Sequence, residues 1–146
     1  MGGTIYELRS KAKQKHLKYE VRTFMQDLKE RTKLFAIAIL KFTEEIPYSR
    51  ATDNLCKQLI RCATSVAANY RAAKRAKSTA DFINKIKITE EESDECLLWL
   101  EFLEAMQPNK TETIAKLIQE ADELTAIFVA TVKTARLRQY VSKRNK

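Results

Sequence analysis

Glycine is almost missing from this 146-residue chain: only Gly2 and Gly3 occur, and none follows Thr4. A chain so built has few tight turns and no glycine-rich phosphate loop. Proline is as scarce, present only at Pro47 and Pro108. Long helices joined by short connections fit that composition. No run of about 18 apolar residues occurs, so no transmembrane helix is expected. The opening MGGTIYELRSKAKQKH is basic and lacks an apolar core, which argues against a secretory signal. Tyr6 stands where a myristoylation motif wants Ser or Thr.

Histidine occurs once, as His16, without a second His or Cys at ligand spacing. The Glu-x-x-His motif of di-iron bundles is missing. One histidine in a basic extension assembles no nucleophile–base pair. No catalytic residue, cofactor or metal is therefore expected. Cys56, Cys62 and Cys96 form no CxxC pair and are odd in number. They read as small buried apolar residues in a reducing cytoplasm. The length suits a single domain.

What is present is segregated charge, with a net value of +8. Residues 1–23 hold six basic and two acidic groups, residues 68–88 six and one, and residues 133–146 six and none. Residues 89–104 hold seven acidic groups and no basic one. Such blocks mark faces with different partners, or faces that are merely solvated.

Apolar periodicity predicts four helices. The first starts near Thr23, where Thr23 and Gln26 have capping-box spacing, and carries Leu28, Thr32, Phe35, Ile39, Phe42 and Ile46 before Pro47. The second uses Leu55, Leu59, Cys62, Val66, Asn69 and Ala73, with small neighbours such as Ala63, Ala67 and Ala68 that admit a close helix. Ser78 and Asp81 cap the third, whose stripe is Phe82, Ile86, Thr89, Ser93, Cys96, Leu100 and Leu103. Asn109 and Glu112 cap the fourth, with Ile114, Ile118, Ala121, Thr125, Phe128, Val132 and Ala135. Alternating steps of three and four with short connections give an all-α, up-down-up-down antiparallel four-helix bundle over residues 23–139. Residues 1–22 form a basic extension, frayed or an added helix, and residues 140–146 a disordered basic tail.

Three polar constellations stand out. In SVAANYRAAKRAKSTADF, the residues Arg71, Lys74 and Arg75 share one helix face, and Lys77, Lys85 and Lys87 carry the positive patch into the third helix. Cations at a helix C-terminus are favoured by about 0.3–1 kcal/mol each, which accounts for the first three but not for the others. Arg136 and Arg138, with Lys143 and Arg144 behind them, add reach. Tyr70 is the one clear aromatic beside this patch for stacking on a base. The second constellation is TEEESDE, from Thr89 to Glu95. It reads either as a divalent-cation site or as partners for the second helix. Hairpin register sets Arg61 near Glu92, predicting a partly buried structural ion pair. The third is Asn69, a buried polar residue that sets register or belongs to a ligand pocket, with Ser93 and Thr89 as expected partners.

The stretch LIRCATSVAANYRAAKRAKSTADFINKIKITEEESDECLLWLEFL resembles the bacterial 23S ribosomal RNA intervening-sequence protein family. The resemblance is carried by Arg61, Ser65, Val66, Ala68 and Asn69, the Arg71–Lys77 cluster, the Asp81–Phe82 pair and the acidic run Glu90–Glu95. Ala67 departs from relatives that hold a Gly or Pro there, and the extension before Phe24 is longer than the family pattern. The resemblance implies a cytoplasmic, non-enzymatic bundle that assembles as a ring-like homopentamer. It also implies kinship with retroelement accessory variability proteins, basic barrels that bind nucleic acid and a reverse transcriptase.

Two functions follow. One is a basic oligomer that binds RNA or DNA through phosphate contacts, which needs no sequence motif. The other is a scaffold that docks a partner protein through the third helix or an exposed Trp99. Acidic-phospholipid binding by the basic termini is a lesser reading.

Overall fold

The computed structural model describes residues 4–145, with the side chains of all but 6, 19 and 21–26. The fold is all-α: five packed helical segments, with no strand among the described residues. In chain order these are α1 (Ile5–Glu44), α2 (Arg50–Ala73), α3 (Thr79–Met106), a 3-10 turn (Pro108–Lys110) and α4 (Thr111–Arg144).

The expected start of the first helix near Thr23 is corrected: α1 begins at Ile5 and its backbone is helical straight through 23. The side chains of Thr23 and Gln26 lie outside the described residues. The start is set instead by Thr4, whose Oγ1 accepts the Glu7 N–H at 3.3 Å while the Glu7 carboxylate accepts the Thr4 N–H at 3.1 Å. Neither Gly nor Pro follows to break the helix before Pro47. From Thr4 to Asp27 every described side chain is exposed, and the core begins at Leu28.

Ser49 caps α2 by accepting the Thr52 N–H at 3.1 Å, and Thr52 answers by accepting the Ser49 N–H at 2.9 Å. The buried Thr52 hydroxyl also donates to the Pro47 carbonyl at 2.8 Å, fixing the angle between α1 and α2. Ser78 caps α3 as expected, accepting the Asp81 N–H at 3.0 Å. The Asp81 carboxylate, however, takes the Lys77 N–H at 3.1 Å. The expected Asn109 cap of the fourth helix is corrected: Asn109 sits inside the 3-10 turn, and α4 starts with no side-chain cap bond. Of the tail expected to be disordered, residues 140–144 are helical and end α4, where Lys143 and Arg144 face the negative end of the helix dipole; residue 146 lies outside the described residues.

The core sits where α2 packs on α3 and α3 on α4; α1 lies against α2 and touches α4 more sparsely. The predicted stripes are its substance: Phe35, Ile39, Leu59, Val66, Ile86, Leu100, Ile114 and Phe128 are all buried. Each such side chain stabilises the fold by about 1.5–3 kcal/mol relative to exposure. One position is corrected. The buried arc of α2 runs Leu59, Ala63, Val66, Tyr70 and Ala73, so Tyr70 is 2% exposed and Asn69 is only half-buried at its edge. A helix between two neighbours buries an arc wider than one stripe, and that arc turns towards Tyr70.

Candidate nucleic-acid interface

The connection from α2 to α3 is only five residues, 74–78. It is made without glycine because Lys74 stays helical (φ −61°, ψ −21°) and two tight bonds follow, Arg75 N–H to Ala72 O at 3.0 Å and Ala76 N–H to Ala73 O at 3.1 Å. The chain then turns over into the Ser78 cap. Ala73, Ala76 and Ala135 are too small to fill the space between this turn and the end of α4, which leaves an open groove of about 740 Å³. Lys74, Arg138 and Lys143 line it, together with Ser78 at the α3 N-terminus. Cations more than 60 residues apart in sequence thus meet in one concave surface.

Arg71 and Arg75 do not share that groove. With Ala67 and Ala68 they line a second one, about 390 Å³, closed on its other side by Lys29 and Lys33 of α1. The expected single face of Arg71, Lys74 and Arg75 therefore divides around the end of α2. Lys33 is held by Glu30 of its own helix at 3.2 Å. The two α1 lysines could not be placed from sequence, because nothing in α1 announces which of its turns faces residue 71. The adjoining alanines Ala67 and Ala68 were the available signal.

Lys85 and Lys87 are less open than expected. Lys85 is ion-paired with Asp81 at 2.6 Å and Lys87 with Glu90 at 2.8 Å. The Lys85 ammonium, then the Lys77 N–H, hold the Asp81 carboxyl below the usual carboxylate range. Lys77 and Arg136 are exposed, but neither lines either of these two grooves. Tyr70 cannot stack on a base: it is buried with its ring 6.0 Å from that of Phe128, and burial pushes its hydroxyl pKa up.

The Arg61–Glu92 pair forms as predicted, at 3.2 Å, and Glu95 joins it at 2.5 Å. Its burial is one-sided: Glu92 is 19% exposed, but the Arg61 side chain is 49% exposed. Arg61, ahead of a Trp99 hydrogen bond, lowers the Glu95 carboxyl pKa. Trp99 is half-buried, donating from Nε1 to Glu95 at 3.1 Å and packing 5.9 Å from Phe102, so the expected exposed Trp99 is corrected too. Asn69 does not reach across the hairpin. Its amide donates back to the Ser65 carbonyl at 2.9 Å and to the Ser65 hydroxyl at 3.0 Å. Ser93 instead donates to the Ala121 carbonyl and accepts from Thr125, while Thr89 bonds Lys85 O in its own helix. Among the described residues no group of three His, Cys, Asp or Glu side chains could hold a metal ion, and no helix is long and apolar enough to cross a membrane.

The family model of the 23S rRNA-intervening sequence protein matches residues 26–130. The chain belongs to this family. Among solved structures, it is similar to a protein of unknown function from the S23 ribosomal protein family of Bacteroides thetaiotaomicron VPI-5482. The two share 29% identity with a TM-score of 0.65, over 72% of this chain and 97% of that one. No curated protein matches the chain. For the 23S rRNA-intervening sequence protein family, the shared part is thus the packed body. The first 25 residues and the last turns of α4 lie outside the matched range.

Proposed function

We propose that this protein is a cytoplasmic, non-enzymatic, basic oligomer that binds RNA or DNA through phosphate contacts, as an accessory to a nucleic-acid-processing partner such as a reverse transcriptase. The supporting observation is the groove in which Lys74 of the α2–α3 turn meets Arg138 and Lys143 of α4. Converging cations on a concave wall concentrate positive potential where a phosphate backbone can lie. The body in this reading is an up-down-up-down four-helix bundle, supported by the pairing of Arg31 with Glu120 and of Glu45 with Lys110, which runs in opposite directions along α1 and α4. Ring-like assembly into a homopentamer, by family resemblance, would repeat the groove around an axis and multiply the net charge of +8.

A test compares wild type with a Lys74→Glu, Arg138→Glu, Lys143→Glu variant in affinity for duplex DNA and for RNA across a salt series. Binding should weaken uniformly across sequences, and the log–log slope on DNA should fall by about 0.9 for each phosphate that is no longer neutralised. Arg71→Glu with Arg75→Glu tests the second groove in the same way. Unchanged slopes in two folded variants return the clusters to helix capping and solubility. A second reading, a scaffold docking a partner protein through α3, is favoured by Leu98, Phe102 and Met106, which remain 43–47% exposed. A pull-down with and without nuclease separates the two.

A further inference from the structure

Two surfaces of the molecule take no part in the phosphate-binding reading. The first is the start of α1, residues 4–20, which lies outside the family match. Ile5, Leu8 and Leu17 are 71%, 59% and 55% exposed there, and Ile5, Leu8 and Ala12 recur at helical spacing. Around them stand Arg9, Lys11, Lys13, Lys15 and Lys18, none ion-paired among the described residues. The second is the outer face of α3. Leu98, Phe102 and Met106 make an exposed apolar strip, flanked by Glu91, Asp94 and Glu101. These acids are also exposed and without an ion pair among the described residues, unlike Glu90, Glu92 and Glu95.

We infer that the projecting start of α1 of one copy docks along the outer face of α3 in a second copy. Four observations fix this occupant. The charges are opposite, and each surface carries an apolar strip that water penalises. Nucleic acid would satisfy the lysines but not Ile5, Leu8 and Leu17. The lengths agree, since residues 4–20 and the stretch Glu91–Met106 each span about 25 Å as helix. Finally, α1 is one unbroken helix from Ile5 to Glu44, so it cannot fold back onto α3 of its own chain. The contact joins different patches on the two copies. It is exchanged reciprocally in a two-fold pair, or it runs head-to-tail and closes into a ring or continues as a chain.

The full-length chain, freed of nucleic acid, is mixed as light- and heavy-isotope copies at low salt and treated with a zero-length amine–carboxyl cross-linker. Cross-links between residues 9–18 of one isotope and 91–101 of the other are expected. Lys11→Glu, Lys13→Glu, Lys15→Glu and Lys18→Glu together remove the reactive amines as well as the charge, so docking is read from hydrogen exchange: the amides of residues 5–20 should exchange at least about tenfold faster than in wild type at the same concentration, because like charges are then set face to face. Glu91→Lys, Asp94→Lys and Glu101→Lys together should do the same. All seven positions are exposed, so helical content should hold in both variants. The two variants mixed with each other restore opposite charges across the contact and should restore the cross-links. Wild-type copies without such cross-links would overturn the inference, as would a mixture that fails to restore them. So would a reversed α1 that loses nucleic-acid affinity while the exchange of its amides 5–20 is unchanged. The groove variants at Lys74, Arg138 and Lys143 leave both surfaces intact, so the phosphate reading can fail without this one.

Discussion

Arg61 and Tyr70 show how much a single residue reveals. Arg61 was legible because hairpin register needs only the length of the α2–α3 turn, and that turn is short. Its exposure was not legible, and it changes the magnitude. With Arg61 49% exposed, Arg61→Ala should lower stability by about 1 kcal/mol, as at a solvated pair, and not by the several kcal/mol of a buried one. Glu95 is held below its ordinary value by Arg61, so its contribution is complete above the usual carboxylate range and lost as pH falls through the folded value. Thermal melts should show wild type and variant separated at neutral pH and converging in acid. Tyr70 misled because it lies one position from the counted stripe and beside a basic cluster. Its burial against Phe128 predicts that Tyr70→Ala costs about 3–5 kcal/mol in chemical unfolding. Nucleic-acid affinity of the fraction that stays folded should be unchanged, and a selective loss of affinity would restore the stacking role.

Among the elements, interiors were legible and ends were not. Apolar steps of three and four repeat through each packed helix, but a cap is a local competition between candidates. Thr4 with Glu7 took the start of α1, while Thr23, which has the same spacing, fell inside the helix. The first half of α1 consequently stands on its own. It places Arg9 four residues before Lys13, and Lys11 four before Lys15, pairs that oppose a helix. Among the described residues one contact there, His16 with Glu20 at 3.1 Å, is an ion pair only when the histidine is protonated. At concentrations where copies are separate, the amides of residues 5–20 should exchange at least about 1,000-fold faster than those of the buried stretch from Leu28 to Phe42. Added salt should slow that exchange by screening the repulsion. Equal protection along α1 would show that its start is covered by something in its own chain.

At the scale of the whole molecule, the question is what closes the packed helices on the side where α1 meets α4. Apolar packing is incomplete at the surface there: Phe35 and Leu117 are buried in the core, but an open groove of about 490 Å³ lies above them, lined also by Leu34 and Ala38. The rim of that side is held by ion pairs. Arg31 grips Glu120 with two parallel bonds, 2.6 Å from Nε and 2.8 Å from Nη2, and reaches Glu123 at 2.5 Å. Lys110 holds Glu45 at the other end, 3.2 Å away. The fork of a guanidinium fits a carboxylate in a way that lysine cannot. Glu120, the first of several causes, raises the Arg31 pKa, and Arg31 in turn holds the Glu123 carboxyl below its usual value. Nothing in the apolar pattern of either helix pointed to Arg31, since the pattern says which face is buried and not which rim residues meet. About a third of the Arg31 side chain is exposed, so solvent screening keeps its worth below that of a buried ion pair. Arg31→Ala should therefore cost about 1–2 kcal/mol at neutral pH. The sign of the pH dependence follows from Glu123: its depressed pKa adds stability that is complete above the usual carboxylate range and is lost as the pH falls through the folded value. Native-state hydrogen exchange should show the packed half of α1 opening sooner in the variant, while α2 and α3 keep their protection. Arg31→Met, which lays an apolar chain along the groove, should recover part of the loss and remove the pH dependence. If α1 in Arg31→Ala exchanges as slowly as in wild type at every pH, then α1 is held by α2 alone, and the α1–α4 side is open.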